Sequence, residues 1–466
     1  MRSFTEQIIS LGIFALLLII LIASPWLFGA WEMWYFWPFA VMIFTVGLLL
    51  GVRLLLSGDR QRSTRTGHPG RQALLWLPLP FLGYALIRSM TAPVFMDAER
   101  SMLLFLTPWL LAICILWGIK RSELRLTVAL LGINFAALGI YGILNHCIAE
   151  NAKVLWLDGF PQYQQGYLRA TGSFFCPDHF AGALELGMCL ALGFIMNRES
   201  PWSRRIPALI LLAICIAGII LSKSRGAGLT VIVVGAAALV YGLRQWQWKT
   251  RWALRAGILL VSIITLFALW NSDISYMRRF RSYITIPQEG TRQERLEQLQ
   301  ARALRTCRGT MIAAAIRGWK TAPWFGIGPG MHKNTWFHFG PTPDGDREHG
   351  IWPSQPNNTL HSFEVHSDWV QLLQEYGVIG LVLFLIPLGG IFYLLVRTLN
   401  RAATATRNQL DRPISRTGYS LLLAGILAIV AMGFHSLGDF CLQIPALTWL
   451  LAAMTACALA QVRRAA

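Results

Sequence analysis

The chain has 466 residues, of which 55% are hydrophobic and only 14% charged, and its mean hydropathy is +0.49. A soluble chain of this length would carry far more charge, so the class is a polytopic membrane protein, and one helical bundle can use the whole length. The formal net charge of +18 would suggest nucleic acid in a soluble protein, but here it is first a matter of topology, because basic residues collect on the cytoplasmic side of membrane spans.

Taken in order, the chain offers about twelve apolar runs long enough to span a membrane. The first, roughly 8–30, is too long for a signal-peptide core and lacks small residues at a cleavage site, so it reads as a helix. A second, roughly 34–56, is followed by a basic loop with Arg60, Arg62, Arg65 and Arg71. Further runs lie near 73–91, 101–118, 126–146, 180–196, 206–221, 228–243 and 253–270. The pattern then stops, and 271–365 is polar and rich in Gly, Pro and Arg. Within it, 291–305 reads as an amphipathic surface helix, and Arg308 to Thr321 as a short interfacial helix stopped by Pro323 and a Gly-rich turn. The last spans run near 376–396, 418–436 and 442–462. The expected fold is all-α and polytopic: a membrane bundle over 1–270, a loop region over 271–365 and C-terminal membrane helices over 366–466.

Orientation follows from the basic residues. With the N-terminus in the cytoplasm, the inner segments collect 23 of them, the short outer loops six, and the long loop the remaining twelve. Long translocated segments are exempt from the rule, so this bias puts both termini inside and removes the main support for a nucleic-acid partner. The eight cysteines show no metal spacing; Cys114, Cys189, Cys215 and Cys457 fall in apolar runs, and Cys147, Cys176 and Cys307 are those an oxidising compartment would meet.

On this topology every unusual polar cluster faces outward. Arg225 sits in LSKSRGAGL, between two apolar spans. Arg169 sits in YLRATGSFFCPDHFAG, which breaks the chain at Gly172, Cys176-Pro177 and Asp178. The stretch from His361 to Leu385 turns from polar to apolar at Tyr376, as a helix entering a membrane does, with Asp368 as its N-cap and His366 at the boundary. An imidazole at the mouth of a membrane helix is a functional-site candidate, against the plainer alternative of an interfacial or capping His. Arg225 has a plainer alternative as a snorkelling anchor, and Arg278, Arg279 and Arg281 one as solvated or headgroup-facing bases. Gly326, Gly328 and Gly330 read as a tight turn, since no strand precedes them and no Lys-Ser/Thr follows. His332, His338, His349 and His361 fit no metal template.

Three segments together carry a resemblance: SKSRG at 222–226, the run from Arg308 through WKTAPWFGIGPG to Gly330, and HSDWVQLLQEYGVIGL at 366–381. They resemble the signature of the bacterial O-antigen ligase and polysaccharide polymerase superfamily, in which an Arg precedes the Pro of P-x-x-G-x-G by fifteen residues and a His precedes a Gly by eleven. Arg308 and Pro323, and His366 and Gly377, keep those spacings. The similarity covers about 168–395; it departs at Cys-Pro-Asp, where Asn-Pro-Asn is usual, and at Ser367, where Asn often stands.

The resemblance implies a metal-independent glycosyltransferase, with no cofactor, acting on the periplasmic face of the bacterial inner membrane. Its partners would be a polyprenyl-diphosphate-linked glycan donor, a glycan or lipid A-core acceptor and the bilayer. The chemistry agrees with the residues. A diphosphate leaving group suits guanidinium forks, which assigns Arg225 and Arg308 as the clamp with Arg169 as an assistant. A sugar hydroxyl needs a base, which assigns His366 as the catalytic residue, with Glu364, Asp368 and Asp178 as candidates for orienting it or contacting acceptor. Direct displacement would invert the anomeric centre. O-antigen ligase, polysaccharide polymerase and protein O-oligosaccharyltransferase stay open within the family. From another class, a transporter of lipid-linked glycans is the alternative, but the chain shows no internal repeat and few ionisable residues inside its spans.

Overall fold

The computed structural model describes residues 2–56, 68–149, 169–197, 199–245, 291–295, 298, 307–340, 362–407 and 414–462. Among them are fourteen α-helices, two 3-10 turns and no strand. The helices are α1 (Arg2–Ala23), α2 (Met33–Leu56), α3 (Pro69–Trp76), α4 (Leu79–Met90), α5 (Phe95–Gly118), α6 (Arg121–Ala149) and α7 (Pro177–Met196). They continue with α8 (Trp202–Ser222), α9 (Arg225–Gln245), α10 (Cys307–Thr321), α11 (His332–Phe339), α12 (Asp368–Arg407), α13 (Arg416–His435) and α14 (Pro445–Leu459). Counting α3 and α4 together, ten spans among the described residues are long and apolar enough to cross a membrane, and α14 is a shorter apolar helix. The protein is therefore an all-α polytopic membrane protein. The expected run at 253–270 and most of 291–305 lie outside the described residues.

Two expected boundaries move. The run 8–30 ends as a helix at Ala23, because Pro25 follows Ser24 and the chain then turns through left-handed backbone at Phe28, Gly29 and Ala30. Asp368 is not an N-cap: it is the first residue of α12, and its carboxylate instead accepts from the backbone N–H of Leu442 at 2.8 Å.

The bundle is built around α7 and α13, the most buried of its spans. Lipid gives little hydrophobic drive between membrane helices, so close approach through small residues must supply the packing. A Cβ on Gly193 of α7 would come within 2.4 Å of the Ser420 carbonyl of α13, and one on Gly425 of α13 within 2.6 Å of Ala458 of α14. At one end of the bundle, Arg53 donates to the carbonyls of Trp117 and Gly118 at 2.7 and 3.0 Å, and Arg71 to that of Leu116 at 3.0 Å, so both cap the C-terminus of α5. The opposite end carries the polar cluster.

Candidate active site

Local backbone chemistry explains two of the motifs. Gly377 interrupts α12 with φ 69° and ψ −173°, a conformation almost reserved for glycine. The break leaves two carbonyls and two N–H groups of the helix without their usual partners, and the turn after α10 supplies all four. Val378 and Ile379 donate to the carbonyls of Pro323 and Trp324 at 2.9 and 3.2 Å. In return, Ile327 and Gly328 donate to the carbonyls of Gln374 and Glu375 at 2.9 and 3.0 Å. P-x-x-G-x-G and E-x-G are thus two halves of one splice, and the glycine string is the tight turn its sequence suggests. Glu375 locks it by accepting from Gly330 N–H at 2.9 Å and His332 N–H at 3.3 Å.

A Cβ on Gly377 would stand 2.3 Å from the Trp324 carbonyl oxygen. Gly377→Ala is therefore expected to cost about 3 kcal/mol through strain and loss of the splice, read as a fall of several degrees in thermal unfolding. Gly389, whose Cβ would meet nothing within 4 Å, is the control expected to tolerate Ala. Equal unfolding temperatures for the two variants would remove the splice as a stabilising element.

The splice carries the head of α12 to the polar end of the bundle, where five side chains form a chain. Arg169 donates from Nε to the Ser222 carbonyl at 2.7 Å and from Nη2 to Asp178 Oδ1 at 2.6 Å. Asp178 Oδ2 accepts from Arg308 Nη2 at 2.6 Å, and the same nitrogen reaches Asp439 Oδ2 at 3.2 Å. Arg308 Nη1 donates to the Gly438 carbonyl at 2.6 Å. The other Asp439 oxygen, Oδ1, stands 3.3 Å from His366 Nδ1. The Phe440 ring meets two imidazoles edge-on, 4.6 Å from His366 and 4.5 Å from His179.

Burial alone would raise the Asp439 carboxyl, but Arg308, with His366 beside it, holds it far below the usual carboxylate range. Asp439 is fully buried, whereas the His366 side chain keeps 25% of its surface and Arg308 32%. The carboxylates fix the two guanidinium groups from behind while Arg308 and His366 keep an open side. His366 has a left-handed backbone, φ 57°, unusual for a residue with a Cβ. Hydrogen bonds on both sides hold it: Val365 N–H donates to Gln371 Oε1 at 3.1 Å, and Asp368 N–H to the Ser436 carbonyl at 3.0 Å.

Of the residues singled out in the sequence, Arg169, Asp178, Arg308 and His366 meet in this chain of contacts. Arg225 opens α9, and its neighbour Gly226 backs onto the His435 ring, 3.0 Å from a Cβ placed there. In the same turn, the Ser224 hydroxyl accepts from the backbone N–H of Ala227 at 3.3 Å. Glu364 is held by Gln371 at 2.5 Å and Asp368 by Leu442 N–H, so Asp439 is the carboxylate at the His366 nitrogen. His332 is occupied by Gln374 at 2.8 Å and Ser362 at 3.0 Å, while His349 and His361 lie outside the described residues. Cys176 is half-buried beside Asp178, and burial pushes its thiol well above the ordinary value. Sequence reasoning missed Asp439, yet counting spans puts HSLGD, the turn before α14, on the same side as the other clusters.

Residues 210–385 match a protein-family model described as O-antigen ligase. No curated protein matches the chain. The matched segment holds Arg225, Arg308, both halves of the splice and His366, whereas Arg169, Asp178 and Asp439 lie outside it.

Proposed function

We propose, from the match of residues 210–385 to the O-antigen ligase model, that this chain is a glycosyltransferase of that kind, moving a glycan from a polyprenyl-diphosphate donor to a hydroxyl acceptor on the periplasmic face of the inner membrane. The observation that carries this reading is the run of contacts Arg169–Asp178–Arg308–Asp439–His366, which sets two guanidinium groups and one imidazole around a shared pair of carboxylates.

In the proposed step the acceptor oxygen attacks the anomeric carbon while the bond from that carbon to the diphosphate oxygen breaks. The bonding pair leaves with the diphosphate, and the hydroxyl proton passes to His366 Nε2. Asp439, at Nδ1, keeps the proton of the neutral ring on that nitrogen, which leaves Nε2 free to accept. Arg308 and Arg169 stabilise the charge growing on the leaving group, and Arg225 adds a cation at the N-terminus of α9. Attack opposite the leaving group inverts the sugar. Glu364 keeps a supporting place through Gln371, where burial raises its carboxyl above the usual range.

Guanidinium groups do here what a divalent ion does for many diphosphates, so millimolar chelator is expected to leave the transfer rate of purified protein unchanged within about twofold. A loss of tenfold or more, restored by magnesium, would contradict the metal-free reading. The acceptor is decided in a deletion strain: lost glycan on lipopolysaccharide marks a ligase, shortened polymer a polymerase, and loss of glycan from protein hydroxyls a protein glycosyltransferase. A deletion strain unchanged in all three would sink the proposal.

A further inference from the structure

Beneath the site lies a second ionisable pair that the proposed step does not use. Glu185 stands on α7 seven residues beyond Asp178, about 10 Å deeper along the helix. Its Oε1 and Oε2 lie 3.0 and 3.1 Å from His435 Nδ1, and both side chains are fully buried. An ionisable residue deep in a membrane helix is costly and calls for a functional account. Leu184 and Leu186, its neighbours in the chain, show that apolar side chains already fill the core at this depth.

The opposite nitrogen of the ring supplies the link. His435 Nε2 lies 4.0 Å from Asp439 Oδ2, the oxygen that Arg308 reaches at 3.2 Å. Oδ1 faces His366 Nδ1 at 3.3 Å and His179 Nε2 at 4.0 Å. We propose that Glu185 and His435 are a positioning pair. Glu185 fixes the His435 ring, and His435 with Arg308 holds the Oδ2 side of Asp439, which turns Oδ1 to His366. This inference rests on the glycan-transfer reading of the site, and it adds two residues that act through Asp439 without touching substrate.

The test uses full-length protein in nanodiscs, with polyprenyl-diphosphate-linked glycan extracted from a strain lacking the enzyme. Glu185→Gln and His435→Gln are each expected to lower the single-turnover rate about 10- to 100-fold, with donor KM within about twofold. In an Asp439→Asn background the same substitutions should change the rate by less than about twofold, because the group they act through is already lost. Equal losses in both backgrounds, or a wild-type rate in either single variant, would overturn the proposal. Should those variants fold poorly, the double variant Glu185→Leu/His435→Phe fills the space with apolar groups. It should still lose rate about 10-fold or more, and a wild-type rate in it would overturn the pair. Arg308→Ala runs alongside: if it stays fully active, the glycan-transfer reading fails, a result separate from failure of the pair.

Discussion

Arg308→Ala should lower glycan transfer by at least about 10²–10³-fold, the range for removing one preorganised donor to a developing anion. Arg308 is the hub of the cluster: one side chain joins Asp178, Asp439 and the Gly438 carbonyl at 2.6, 3.2 and 2.6 Å. Two buried carboxylates lose a shared cation in the variant, so its yield should fall as well. Arg308→Lys separates charge from geometry. It keeps the positive charge but cannot present the planar fork that meets three acceptors at once, and it should recover protein level while recovering little activity. Transfer in isolated membranes, normalised to protein by immunoblot, measures both. Full activity in Arg308→Ala would remove the residue from the mechanism.

The second large effect belongs to Asp439. Asp439→Asn should cost about 10²–10⁴-fold in rate, comparable to His366→Ala, because the base then loses its tautomer and orientation. The site's electrostatics add a pH signature. The folded value of Asp439 lies below its unfolded value of about 3.9, so its contribution to stability is complete above that pH and disappears only as pH falls further, through the folded value. The difference in unfolding temperature between wild type and Asp439→Asn should therefore narrow as pH falls below about 4, where the carboxylate's own contribution is lost. A gap that does not narrow there would show that Asp439 is not held ionised by Arg308, and near-normal turnover in Asp439→Asn would exclude it as the partner of His366.

Much of the bundle was legible because membrane spans announce themselves by composition and length. The site was legible in part. Arg169, Arg308 and His366 stand in polar clusters that a count of spans puts on one side, and Asp178 falls in the chain break that orients α7. Its bridging of Arg169 and Arg308 could not be read, since it depends on residues 9 and 130 positions away. Asp439 escaped because a single acid in a short turn between apolar runs looks like a solvated loop residue. Glu185 and His435 sit within spans where periodicity reports only packing. Asp368 and Glu364 were reasonable partners for His366 by proximity in sequence, but α12 begins one residue earlier than a capping Asp368 requires, and its first turn directs them to Leu442 and Gln371. The glycine turn was recognisable as a turn. Its purpose was not, because the other half of the splice lies about fifty residues on.

The central claim is that these cations and this imidazole break a sugar–diphosphate bond, and phosphorus accounting in sealed proteoliposomes tests it most directly. With glycan-loaded polyprenyl diphosphate and acceptor on the side exposing His366, wild-type protein should release one polyprenyl diphosphate for each glycan joined to acceptor, and Arg308→Ala and His366→Ala should release none. If the donor instead crosses the bilayer intact, with no polyprenyl diphosphate set free, the chain is a carrier of lipid-linked glycans and the cluster is its binding site.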